Sequence, residues 1–141
     1  MRFVHESPLR WSDMDAYGHV NNSPFLTLYE EARVALFFVG ARTAGLASFE
    51  DGIVIGRHEI DYLRSLDYGT GPDGVPRPPF VRVELWVEEV RPSRFTVAYE
   101  LFDGDVVVSR ARSVCVPVNL ATKAPRRLSD AERAFLADWT A

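Results

Sequence analysis

The sequence predicts an α+β domain in which one long helix is wrapped by a five-stranded antiparallel sheet. Three observations carry this expectation. A helical run near the N-terminus is apolar nearly all round in its second half, as suits a helix enclosed by other structure. Three long strand signals then follow one another across short turns, the pattern of an antiparallel meander. A single sheet with one enclosed helix buries both by curling around it. At 141 residues, one domain is expected over 1–141, with its core at about 3–120 and a short closing helix at about 129–139.

The opening RFVHESPLRW reads as a first strand, edged or interrupted near Pro8, which has no N–H for a ladder. A polar loop comes next, then the helix. Asn22 or Ser23 is the expected N-cap, and Pro24 suits N1, where an N–H has no partner to lose. Phe25, Leu28, Tyr29, Ala32, Ala35, Leu36 and Val39 recur at three- and four-residue steps. Leu26, Phe37 and Phe38 widen the face, and Gly40 or Gly45 ends the helix. GIVIGRHEIDYLRSL is β-rich, whereas DYGTGPDGVPRPP is a Gly- and Pro-dense loop.

FVRVELWVEEV puts Val81, Val83, Leu85 and Val87 on one face. FTVAYELF does the same with Phe95, Val97, Tyr99 and Leu101. RPSR and Asp103–Asp105 are turns, and VVVSRARSVCVPV is the last long strand. Ser129 and Glu132 have the spacing of a capping box ahead of Phe135, Leu136 and Trp139. Trp86 and Phe102 lie on the far face of the sheet, where contact with another subunit is expected.

Composition narrows the function classes. A net charge of −4 argues against a general nucleic-acid surface. Cys115 is the only cysteine, so no intrachain disulfide forms; this fits a reducing, cytoplasmic setting. Its apolar neighbours make it a buried structural thiol. No long apolar stretch opens the chain and no run is long enough to cross a bilayer, so no membrane partner is expected.

The chemistry concentrates in RWSDMDAYGHVNN, from Arg10 to Asn22. Asp13 and Asp15 are carboxylates, His19 is an imidazole, and Gly18 permits a sharp turn. The loop runs into a helix start whose first N–H groups have no intrahelical partner, a natural site for an anion or a developing oxyanion. A carboxylate beside such donors can attack a polarised carbonyl or activate water against it. Other readings stay open on spacing alone. The aspartates can form an Asx-rich cap, His19 can be structural, and Asn21 and Asn22 can be caps. Asp13, Asp15 and His19 lack a second local histidine, so no metal and no other cofactor is expected.

DMDAYGHVNNSPFLTLYEEAR closely resembles the signature of the hotdog-fold acyl-CoA thioesterases of the 4-hydroxybenzoyl-CoA thioesterase type, roughly D-x-D-x-x-G-H-V-N-N followed by a helix with E-E-A-R. EIDYLRSLDYG looks like the same family's E-I-D-Y-L-R-P-L-x-Y-G, and VRPSRFTVAYELF is a weaker match. The likeness spans about residues 3–120. It implies a hotdog fold and hydrolysis of an acyl-CoA to free acid and CoA. The second aspartate, Asp15, would be the nucleophile or general base, and the backbone N–H of Asn22 would hold the carbonyl oxygen. His19 matches a histidine used by the related plant acyl-carrier-protein thioesterases, but Tyr17 stands where those enzymes have asparagine.

Tyr17 and Gly18 are expected substrate contacts, and Arg91 and Arg94 the expected phosphate contacts, with Arg126 and Arg127 next. Asp13 organises the loop, and Glu30 and Glu31 are structural. Residues 70–79 interrupt the family pattern; they either shape the pocket or decorate an edge. The likeness further implies a homodimer or homotetramer with sites between protomers. The rival readings are a non-catalytic acyl-CoA-binding hotdog protein and an acyl-ACP thioesterase.

Overall fold

The computed structural model describes residues 1–141. Strand β1 (Phe3–Pro8) leads to helix α1 (Asn22–Val34), a π-helical turn (Ala35–Gly40) and the short α2 (Ala41–Thr43). Strands β2 (Ile53–Tyr62), β3 (Phe80–Arg91), β4 (Arg94–Asp103) and β5 (Val106–Pro117) follow, and α3 (Asp130–Asp138) closes the chain. The sheet order is β1-β3-β4-β5-β2, with every pair antiparallel. Sequence neighbours β1 and β2 therefore occupy opposite edges. Their connection has to cross the sheet, and the long helix is that crossing. This is the expected hotdog fold.

The alternation read in β3 and β4 is the observed one. Val81, Val83, Leu85 and Val87 are buried, as are Phe95, Val97, Tyr99 and Leu101. They share one cluster with Phe25, Leu28, Tyr29, Ala32 and Leu36 of the helix. The Tyr29 and Tyr99 rings lie 4.8 Å apart, and Tyr29 Oη donates to Ser109 Oγ at 2.6 Å, so its hydroxyl is satisfied inside the core.

Three details depart from the sequence reading. The N-cap is Asn21, which the sequence reading held open as a cap, and not the expected Asn22 or Ser23: its side chain accepts from the Ser23 N–H, which places Pro24 at N3. Proline is still harmless there, because the third N–H also precedes the first available carbonyl. Val39 is 62% exposed, not buried, while Phe37 turns inward. The cause is the π turn, in which the Ala41 N–H donates to Leu36 C=O and one extra residue rotates the face. The β2 strand stops at Tyr62, short of Leu66.

On the far face of the sheet, the large aromatics are covered by arginines of this same chain. The Arg2 guanidinium sits 3.9 Å from the Trp86 ring centre and Arg82 sits 4.2 Å from that of Phe102. Arg2, Arg110 and Arg112 pair with Glu84, Glu100 and Glu88 across the strands. Cys115 is buried, and burial pushes its thiol up to about 12, which makes it inert. No helix is long and apolar enough to cross a membrane.

The capping box forms as expected. Ser129 Oγ accepts the Glu132 N–H at 3.1 Å, and Glu132 Oε1 accepts the Ser129 N–H at 2.8 Å. Glu132 is fully buried, and both Arg126 Nη atoms donate to it at 2.7 and 2.8 Å. Burial alone would raise its pKa. The Arg126 fork, the Ser129 N–H and the Ser48 hydroxyl outweigh that and hold it at about 2. A depressed carboxylate stabilises the fold above its unfolded pKa and loses that contribution as the pH falls through the folded one. Removing one member of such a pair costs about 3 kcal/mol. Urea denaturation of Glu132→Ala at neutral pH is expected to show that loss, and the gap to the parent should narrow between pH 4.5 and about 2.

Candidate active site

Residues 10–22 form one tightly bonded loop between β1 and α1. Asp13 is 4% exposed, and its carboxylate accepts from the Arg10 N–H at 2.8 Å and from Arg10 Nε and Nη2 at 3.1 and 2.9 Å. It is therefore engaged in holding the loop, as expected. Met14 bridges Val20, the Asp15 N–H donates to His19 C=O, and the Gly18 N–H donates to Asp15 C=O. Gly18 completes this turn at φ +79°, in the left-handed region.

Asp15 stands beside the helix start. Its Oδ1 accepts the Tyr17 N–H at 2.9 Å and its Oδ2 accepts Asn21 Nδ2 at 2.9 Å. The Asn21 amide first, then the Tyr17 N–H, hold the Asp15 carboxyl below the usual carboxylate range. It is thus ionised at neutral pH. Meanwhile Asn21 Oδ1 accepts the Ser23 N–H at 3.0 Å. Of the first three helical positions, Ser23 is capped and Pro24 has no N–H. The N–H of Asn22 is the one left without a partner in the chain.

His19 Nδ1 lies 2.5 Å from Asp67 Oδ1, and its other ring nitrogen has no partner within the chain. A carboxylate on Nδ1 fixes the tautomer in which Nε2 is the free acceptor. The sequence reading does not single out Asp67. It is 48 residues from His19, and its one signal is its place inside EIDYLRSLDYG. Tyr62 of the same segment is likewise missed as a site residue; its Oη donates to Asn22 C=O at 3.0 Å and its ring packs 5.1 Å from Phe25.

A cleft of about 340 Å³ opens here, walled by His19, Asn22, Phe25, Tyr62, Arg64 and Leu66 among others. Asp15, Tyr17 and Gly18 lie on the adjoining loop and not in its wall; Tyr17 is 87% exposed.

The four arginines expected at the phosphates do not gather at this loop. Arg91 and Arg94 flank the β3–β4 turn, while the loop leaves β1 beside Phe80 at the other end of β3. That is about 35 Å along the strand. Arg91 pairs with Glu89 at 2.8 Å, and Arg126 is committed to Glu132. Arg64 is the arginine in the wall of the cleft.

Asn21→Ala should act in two places at once. Loss of the cap costs about 1 kcal/mol in urea denaturation. Loss of the amide donor should move the Asp15 titration up toward its ordinary value, read by carboxylate NMR.

The comparisons with known proteins agree with this architecture. The chain is similar in structure to a predicted thioesterase from Bacillus stearothermophilus, with 27% identity and a TM-score of 0.83 over 100% of this chain and 98% of that one. It is similar to the PA2801 protein of Pseudomonas aeruginosa, with 28% identity and a TM-score of 0.76 over 93% and 95%. It shares its fold with a thioesterase from Thermus thermophilus solved with coenzyme A and zinc, at 24% identity and a TM-score of 0.78 over 96% and 92%. No curated protein matches it by sequence. The family model of the thioesterase-like superfamily matches residues 9–139, nearly the whole chain and the entire loop just described: the chain belongs to that superfamily.

Proposed function

We propose that the chain, a thioester hydrolase by family, cleaves an acyl-CoA to free acid and CoA at the loop of Asp15, His19 and Asn22. One observation carries this reading. An ionised carboxylate, fixed by two donors, stands on the loop that enters α1, where the Asn21 cap and Pro24 leave a single free N–H, that of Asn22. An acyl-transfer site needs that pair: an acceptor-rich group near the carbonyl carbon and a donor for its oxygen.

Of the two possible roles of the carboxylate we take the nucleophilic one: two donors fix Asp15 and still leave it lone pairs for attack, and His19 Nε2 supplies a separate base for water. An oxygen of Asp15 bonds to the thioester carbon, the CoA thiolate leaves, and a mixed anhydride remains there. Water then cleaves the anhydride, and His19 Nε2 takes the proton of that water and passes it on to solvent or thiolate. The motif likeness favours the 4-hydroxybenzoyl-CoA type, with Tyr17 and Gly18 at the mouth.

The wall of the cleft is incomplete in one protomer, and a second copy is the proposed closure. Strand β2 is a sheet edge, and Val54, Tyr62 and Leu63 on or after it are exposed, as are Leu26 and Val34 of α1. Edge-to-edge pairing of β2 with its copy would cover them. The same closure is where a partner's arginines would have to reach the CoA phosphates.

Asp15→Asn is expected to keep the fold and lower thiol release from an acyl-CoA panel by at least about a hundredfold. Hydroxylamine should trap an acyl hydroxamate with the parent protein. Undiminished turnover in a folded Asp15→Asn protein would reject the assignment. In sedimentation, the active species should have at least twice the 15.9 kDa chain mass; a fully active monomer would remove the shared-site part.

A further inference from the structure

The inserted segment 70–79 is a built element. Thr70 bridges Pro76, the Gly71 N–H donates to Val75 C=O, Asp73 Oδ1 accepts the Val75 N–H, and Gly74 turns at φ +78°. This small hairpin ends on Arg77, whose side chain is 16% exposed. Its guanidinium spreads over four acceptors. Nε donates to Asp103 Oδ1 at 2.5 Å, Nη2 to Asp67 C=O at 2.8 Å, and Nη1 to Tyr68 C=O at 3.2 Å and Pro78 C=O at 3.1 Å. Asp103 is itself buried at the end of β4, so the fork is anchored on the sheet.

Residues 63–69 are held at buried Leu66, whose C=O accepts the Val20 N–H, and beyond it at Arg77. They lie beyond the end of β2, and the N–H groups of Leu63 and Arg64 share one acceptor, Val108 C=O. Asp67 nevertheless has to hold a carboxylate 2.5 Å from His19 Nδ1. Arg77 does not line the cleft of His19 and Asn22, and its guanidinium is taken up by four acceptors of this chain.

We propose that Arg77 is a positioning residue: braced on Asp103, it fixes the Asp67 backbone so that the Asp67 carboxylate holds His19 Nδ1 and leaves Nε2 to the cleft. The inference rests on the catalytic reading of His19 for its effect on turnover, but not for its effect on the imidazole. Lysine cannot replace the fork, because one ammonium cannot span acceptors on both Asp103 and the 67–68 backbone.

The test uses the full chain with Arg77→Lys, and with the paired change Arg77→Met/Asp103→Leu. The pair removes a buried ion pair as a unit and is tolerated by folds for that reason. With three histidines in the chain, the His19 Nδ1–H proton is assignable by ¹⁵N-edited NMR. The parent should show it as a protected, far-downfield signal. In the variants it should be lost, while kcat falls about tenfold with KM within twofold, as expected of a misplaced group. The loss in kcat should largely disappear in a His19→Ala background. A folded variant that keeps the downfield signal, or that loses kcat equally with and without His19, overturns the proposal. If the parent hydrolyses no acyl-CoA yet the signal responds to Arg77, the thioesterase reading fails and the positioning stands.

Discussion

One side-chain amide couples the fold to the polar loop of residues 10–22. The Oδ1 of Asn21 caps the Ser23 N–H and its Nδ2 holds Asp15 Oδ2. A residue that starts the helix is thus also the residue that sets the carboxylate. Because α1 crosses the sheet between its two edges, the direction of that helix start is fixed by the whole core, from Phe25 to Leu36. The loop joins that packing through Val20, which is buried in the same cluster. Aspartate at the cap would accept from Ser23 equally well, but it has no donor for Asp15. Two carboxylates would then face each other, and Asp15 would be pushed up in pKa instead of down.

The same logic recurs at the second strand. Tyr62 ends β2 by donating to Asn22 C=O, and Leu66 C=O accepts the Val20 N–H at 2.7 Å. The polar loop is pinned from the helix on one side and from the post-β2 segment on the other. The Asp67–His19 contact is the side-chain member of this set. Two stretches far apart in the chain meet because β2, at the edge of the sheet beside β5, closes over the N-terminus of the helix.

The fold was largely legible because its signals are local. Alternation in β3 and β4, the turn at Asp103–Asp105 and the Ser129–Glu132 box each depend on neighbours a few residues away. The exceptions have non-local causes. A π turn is a choice of hydrogen-bond partner, and periodicity of 3.6 cannot foresee that it sends Val39 out and Phe37 in. Arg33 is 8% exposed because Tyr99 Oη, 66 residues away, accepts its Nη1 at 3.0 Å. Motif likeness names Asp15, His19 and Asn22 as candidates and spacing offers Asn21 as a cap, while the bonds of Asp67 to His19 and of Arg77 to the Asp67 backbone required the register of the folded chain. Arg91 and Arg94 show the converse case: they lie at the far end of β3 from this chain's own loop. Flanking a turn says nothing about which end of the sheet the turn is on; the β1–β3 register decides it.

The polar crowding of residues 10–22 resolves once each group is followed to its partner. Asp13 is taken up by Arg10, the Ser23 N–H by Asn21, and His19 Nδ1 by Asp67. Asp15 accepts from Tyr17 and Asn21 but, as a carboxylate with about four lone-pair sites, is not saturated by two donors. Apart from exposed groups that water meets, such as the Trp11 indole and the Tyr17 hydroxyl, the helix entrance leaves open the Asp15 oxygen pair, one imidazole nitrogen of His19 and the backbone N–H of Asn22. An open N–H at the first helical position is ordinary, since water satisfies it; what sets this loop apart is the ionised carboxylate and the imidazole nitrogen left open with it. Asn22 is exposed, so its N–H can exchange water for an arriving carbonyl oxygen without disturbing the helix. The structural groups of the loop are therefore the saturated ones, and the proposed chemistry belongs to the donors and acceptors that the fold does not use.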